Sequence, residues 1–212
     1  MDNAIPFFNY AFLRRGIVLA AAIIALWSAT PASAIILMQF EGIAGESTVE
    51  GHKDWINIDS CQFGVGRNIA APTGGGGDRT PSPPSFSEIT LSKTADITTP
   101  KLMHELTSGT GKNVTLEFLT TSSGGGKLEV YQRIELENVL ISGYSQSSGG
   151  DRPSESLSLN FTKITLTYME PDAQPPKTEI FIFDLTTGTA GALPAKSFPA
   201  KTFPARSLKK AP

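Results

Sequence analysis

Leu157, Leu159 and Phe161 alternate with Ser156, Ser158 and Asn160 in residues 153–168, the period of two that sends one set of side chains into a core and the other outward. After Lys163 the apolar set changes to Ile164, Leu166 and Tyr168. The spacing therefore predicts one long strand with a β-bulge or sharp bend at Thr162 or Lys163. Two other stretches carry the same flip of parity. In residues 54–65, Ile56 and Ile58 give way to Cys61, Phe63 and Val65, and in residues 127–141, Leu128, Val130, Ile134 and Leu136 give way to Val139 and Ile141. Shorter strands are expected at 35–41, 86–94, 114–121 and 178–185, joined by glycine-rich turns at 124–126 and 149–150. Strands that change parity are too curved for a flat sheet, so the pattern implies a barrel or sandwich.

One helix interrupts the β pattern, at residues 99–107, where Thr99 is placed to cap, Pro100 suits the first helical position and Leu102, Met103 and Leu106 form an apolar stripe. So short a helix is marginal alone in water and has to dock by that stripe over a barrel opening or sheet face. Residues 67–85 hold Gly74–Gly77 and four prolines, which cannot sustain a ladder, and read as a long exposed loop. Both faces of the strand at 180–185 require burial: Ile180 and Ile182 point one way, Phe181, Phe183 and Leu185 the other. The helix or a neighbouring subunit can supply that cover, which makes Ile180, Phe181, Ile182 and Phe183 a candidate assembly surface.

The two ends read differently from the middle. Arg14 and Arg15, an apolar run over 17–27 and Ala32-Ser33-Ala34 have the three parts of a secretory signal, with cleavage expected between Ala34 and Ile35. The run is about 11 residues, short of the ~20 a spanning helix needs; an uncleaved anchor requires residues 20–34 to fill the bilayer as well. The expected domains are thus a signal at 1–34, a β domain at 35–191 and a tail at 192–212. In that tail the units SFPAK and TFPAR repeat at five-residue spacing, and their prolines deny helix and sheet.

Charge sharpens the division. Formal charge is −2 overall, but residues 35–191 hold 19 acids against 11 bases, a balance of −8, whereas 192–212 hold five bases and no acid. The acidic body argues against a nucleic-acid-binding domain, and the tail is expected to lie against acidic surface at low salt. A single cysteine, Cys61, excludes an intrachain disulfide and reads as a small buried hydrophobe.

No catalytic constellation emerges. His52, in a GHKDW turn, and His104, on the polar side of the helix, lack partners at metal-binding spacing. Residues 143–147, GYSQS, miss the final glycine of a nucleophile elbow, and Gly74–Gly77 precede no Gly-Lys-[Ser/Thr]. Glu135 and Glu137 share a strand face and read as a solvated or inter-subunit surface. Asn113 and Asn160 fit the glycosylation pattern but lie in expected strands.

The motif PSESLSLNFTKI after a GGD turn resembles the C-terminal signature of the haemolysin-coregulated protein (Hcp) family, the tube protein of type VI secretion. GIAGEST at 42–48, GHKDWI at 51–56, PSFSEITLSKTAD at 84–96 and TPKLM at 99–103 match in the same order, and the resemblance spans roughly 35–185. It implies a mainly β fold, a compact Hcp-like β-barrel of two curved sheets with one short flanking α-helix, forming homohexameric rings that stack into a tube carrying effectors. Sheath and spike proteins are further expected partners. The resemblance supplies no catalytic residue, cofactor or metal. Family members assemble in the cytoplasm and leave by type VI secretion, whereas a cleaved signal implies a secreted or periplasmic protein with no membrane attachment in its mature form. The alternative is an exported Hcp-like ring or surface-associated binding module outside a working machine.

Overall fold

Strand pairing follows the parity of the sequence almost residue by residue. The computed structural model describes residues 34–69, 81–122, 126–170 and 172–193, so the expected signal segment up to Ser33, most of the long loop and the tail beyond Leu193 lie outside the described residues. The strands are β1 (Ile35–Phe40), β2 (Ile56–Ile58), β3 (Ser60–Gln62), β4 (Val65–Gly66), β5 (Ser85–Phe86), β6 (Ile89–Thr94), β7 (Lys112–Thr121), β8 (Leu128–Ser147), β9 (Ser154–Asn160), β10 (Lys163–Glu170), β11 (Lys177–Asp184) and β12 (Thr189–Leu193), with helix α1 at Thr99–Ser108 before β7. One curved sheet runs β12-β11-β10-β8-β7-β1-β2, and the second runs β3-β6-β9-β8. Strand β8 belongs to both. Its first part pairs with β7 and β10, and its last residues, from Leu140, pair with β9.

Each of the three parity flips is a crossing between these sheets. Strand β2 ends at Ile58 in the first sheet, and one residue later β3 begins in the second. In β8 the crossing is at Asn138, whose φ of 53° is a left-handed conformation that asparagine tolerates better than most residues. The register against β7 shifts beside it, and a Cβ on the facing Gly111 would stand 1.8 Å from the Asn138 side-chain oxygen, so a larger residue there would have to displace the Asn138 amide. The third crossing divides the expected long strand of residues 153–168 into two: β9 stays in the second sheet, and after Phe161 and Thr162 the chain enters the first as β10. Among the expectations it was the sharp bend, not a bulge within one ladder, that the chain adopts.

Between the sheets lies one core. Met38, Phe40, Ile56, Leu116, Ile134, Leu136 and Ile164 from the first face Ile89, Leu91, Ile141, Leu157 and Leu159 from the second, all nearly or fully buried. The fold is mainly β, as the pattern implied, although among the described residues the ladder does not close: β12, β2 and β3 each have one hydrogen-bonded neighbour.

Four expectations need correction. Residues 86–94 form two strands, because Phe86 belongs to a small β4–β5 hairpin and β6 starts only at Ile89. The chain does not lose its pattern after Leu185: β12 pairs with β11 across a turn containing Gly188 at φ 65°, and the first two residues assigned to the tail are strand. The N-cap position of α1 is Thr98 rather than Thr99, with no side-chain capping hydrogen bond, which places Pro100 at the second position. Its stripe is narrower than expected, since Leu102 is fully buried and Leu106 packs on the core while Met103 stays exposed.

Candidate assembly surface

Strand β11 is internal to its sheet, between β10 and β12, and its apolar residues divide by position along it. Phe183 pairs with Ile164, is 4% exposed and stacks on Phe86 with ring centroids 4.6 Å apart. It belongs to the subunit's own core. Phe181, two residues nearer the turn between β10 and β11, points to the same side but is 41% exposed, because the β4–β5 hairpin reaches only as far as Phe183. Ile180 and Ile182, on the opposite face, are half-buried. A neighbour can therefore reach Ile180, Phe181 and Ile182, but not Phe183. Ala34 is exposed and Ile35 opens β1 directly, with no spacer between the expected cut and the fold.

The other singled-out residues fall into structural roles. Glu135 and Glu137 are exposed, and Glu137 accepts a 2.6 Å hydrogen bond from Lys163. Residues 143–147 are strand throughout, paired with β9, rather than strand end and loop. Asn113 and Asn160 are exposed, with Asn160 donating to Glu88 at 3.3 Å. His104 is exposed beside Ser108. Cys61 is half-buried against the core, and burial raises its thiol to about 11, which keeps it protonated at neutral pH. Among the described residues no three His, Cys, Asp or Glu side chains group as a metal site would.

Two buried charge clusters escaped the sequence reading. His52 lies in the connection between β1 and β2. It reaches 65 positions along the chain to Glu117, whose other carboxylate oxygen accepts from Arg133 Nε at 2.6 Å, so a carboxylate 5% exposed is held on both sides. Trp55 packs edge-on against His52, closing the loop over the outer side of β1 and β7. The second cluster is deeper. Lys93, fully buried, donates at 2.9 Å to each of Thr94 O, Asp96 Oδ1 and Glu155 Oε2, which satisfies all three ammonium protons. Thr99 and Tyr144 donate to the other Glu155 oxygen at 2.6 and 3.1 Å. The cluster thereby ties β6, β8, β9 and the start of α1 together.

Burial pushes the Asp96 carboxyl up, but donation from the Thr98 hydroxyl, the Lys93 ammonium and the Thr98 backbone N–H outweighs it and holds the group below its ordinary range. A carboxylate whose folded pKa is depressed adds stability at pH above its unfolded value, about 3.9, and loses it as pH falls through the folded pKa. Melting temperature should accordingly fall more steeply below about pH 4 in the unmodified protein than in Asp96→Asn. Parallel curves for the two would refute the assignment.

The sequence model of the family described as "Type VI secretion system effector, Hcp" matches residues 37–168, which contain both charge clusters and all three sheet crossings. The chain belongs to the Hcp family. Protein hcp1 of Pseudomonas aeruginosa is 33% identical over 96 residues, a match that covers 44% of this chain and 58% of that protein, less than two thirds of its length. Two solved structures show the same fold. A type six secretion system protein aligns with a TM-score of 0.63 at 20% identity, over 75% of this chain and all of the other. Hcp1 from Salmonella typhimurium aligns with a TM-score of 0.61 at 18% identity, over 75% of this chain and 99% of the other. The matched residues take in the described strands from β1 to most of β10, and β11 and β12 fall beyond them.

Proposed function

We propose that this chain is a structural, ring-forming component of type VI secretion, assembling as a homohexamer whose stacked rings form a tube that carries or propels effectors. Family membership over residues 37–168 carries this reading. The half-buried apolar positions Ile180 and Ile182, beside β12, which among the described residues has one hydrogen-bonded neighbour, support it, because an identical head-to-tail contact repeated by rotation closes into a ring. The role is not enzymatic, and it engages neither nucleic acid nor cofactor; sheath, spike and effector proteins are the partners. Analytical ultracentrifugation of residues 35–212 should show a species of about six subunits, and a monomer at every accessible concentration would sink the ring.

A second reading rests on the N-terminal residues. Arg14, Arg15, the apolar run and Ala32-Ser33-Ala34 favour export through a secretory route, making the protein a secreted or periplasmic Hcp-like ring or surface-associated binding module outside a working machine. Mass analysis of the natively produced protein separates the two, with a new N-terminus at Ile35 expected for export and an intact Met1 in a soluble cytoplasmic fraction against it.

A further inference from the structure

The core side of the first sheet continues past the second sheet as an aromatic strip that the described residues leave partly exposed. Directly paired residues of antiparallel strands share a face, so the register Phe118↔Gln132, Gln132↔Tyr168 and Leu166↔Phe181 puts Phe118, Tyr168 and Phe181 on the side that buries Leu116, Ile134 and Ile164. The register shift after Phe118 leaves Tyr131 as a second residue opposite it. The rings form a chain across the strands: Phe118 to Tyr131 at 6.2 Å and Tyr131 to Tyr168 at 6.4 Å, both edge-on. Tyr168 is 50% and Phe181 41% exposed. By the same pairing rule Glu179 lies beside Tyr168, and Glu129, opposite Thr120, lies past Phe118, so carboxylates flank the strip at both ends.

Residues 194–206 suit this face in origin, length, spacing and charge. Strand β12 ends with Leu193 opposite Ile180, heading towards the level of Glu179 and Tyr168, so the tail starts one strand away from the strip. Phe198 is five residues on, a reach of up to about 17 Å, enough to turn over the β12 edge. Phe203 follows after five more. In the extended polyproline form that Pro199 and Pro204 favour, five residues span about 15 Å, and the three steps from β11 through β10 and β8 to β7 span about 14 Å. Lys196, Lys201 and Arg206 alternate with the two phenylalanines and meet the flanking carboxylates. We propose that the strip is the docking face of the chain's own C-terminal segment, with Phe198 on Phe181 and Tyr168 and Phe203 on Tyr131 and Phe118. Ile180 and Ile182, on the other face, stay free for a neighbouring subunit, so docking does not depend on ring formation.

Trypsin tests this on residues 35–212. Cleavage after Lys196, Lys201 and Arg206, each rate normalised to the same bond in a free peptide of residues 190–212, should be about tenfold slower than after Lys209 and Lys210, because cutting tracks the undocked population. Phe198→Ser with Phe203→Ser should abolish that difference, and Tyr168→Ser, at a half-exposed site, should remove most of it, each checked for an unchanged circular dichroism melt. Equal normalised rates in the unmodified chain, or protection that survives the double substitution, would overturn the proposal. Protection that rises with protein concentration would also overturn it, by assigning the face to the tail of a second copy.

Discussion

Lys93→Ala will cost the domain about 3–5 kcal/mol, the range for removing one partner of a buried ion pair and leaving the other charge uncompensated. Lys93 sits fully buried between two carboxylates, Asp96 and Glu155, and its loss strands both. Glu155 keeps the Thr99 and Tyr144 hydroxyls, and Asp96 keeps Thr98, but neutral donors do not balance two negative charges. For a domain whose whole stability is about 5–15 kcal/mol, such a loss leaves little margin. Denaturant titration reads it directly. The combined change Lys93→Met and Glu155→Leu removes the fully buried pair and leaves only Asp96 without its cation, so it should recover part of the loss, since well-packed apolar replacements of buried pairs are often neutral. A double variant as unstable as the sum of its parts would show that the cluster acts through packing rather than charge.

That cluster also shows where sequence reading stops. Parity alone places Lys93 on the face of Ile89 and Leu91, and Glu155 on that of Leu157 and Leu159, so both strands signal an inward charge. What parity does not supply is the register that sets these two residues directly opposite each other. The three bends were legible for the converse reason: a change of parity is local, and a chain that must keep its apolar side inward has to cross to another sheet where it changes. Strand β12 left no such trace, because Thr-Ala-Gly-Ala-Leu has almost no side chain to alternate, and its place is set by the backbone ladder that pairs all five residues with β11. His52 and Glu117 meet only because the loop after β1 folds back across β7. The candidate surface was legible as an apolar excess and not as a surface, since Phe181 and Phe183 have the same parity and differ only in whether Phe86 arrives to cover them.

That difference yields opposite outcomes for one substitution at two neighbouring sites. Phe183→Glu places a carboxylate where the side chain is 4% exposed and packed on Phe86 and Ile164, so it loses an aromatic core contact and buries an unpaired charge. The cost should be about 3 kcal/mol or more, with the melting midpoint falling before any question of assembly arises. Phe181→Glu puts the same group at a site 41% open to solvent, where the carboxylate keeps its water. The fold should survive with a change of no more than about 1 kcal/mol. If Phe181 contributes to the ring contact, the variant should sediment as a folded monomer under conditions in which the unmodified protein is assembled. Should Phe181→Glu unfold the domain as Phe183→Glu does, the open end of β11 would belong to the core and the surface would have to be sought elsewhere; should it assemble normally, the contact would pass to Ile180 and Ile182 on the other face.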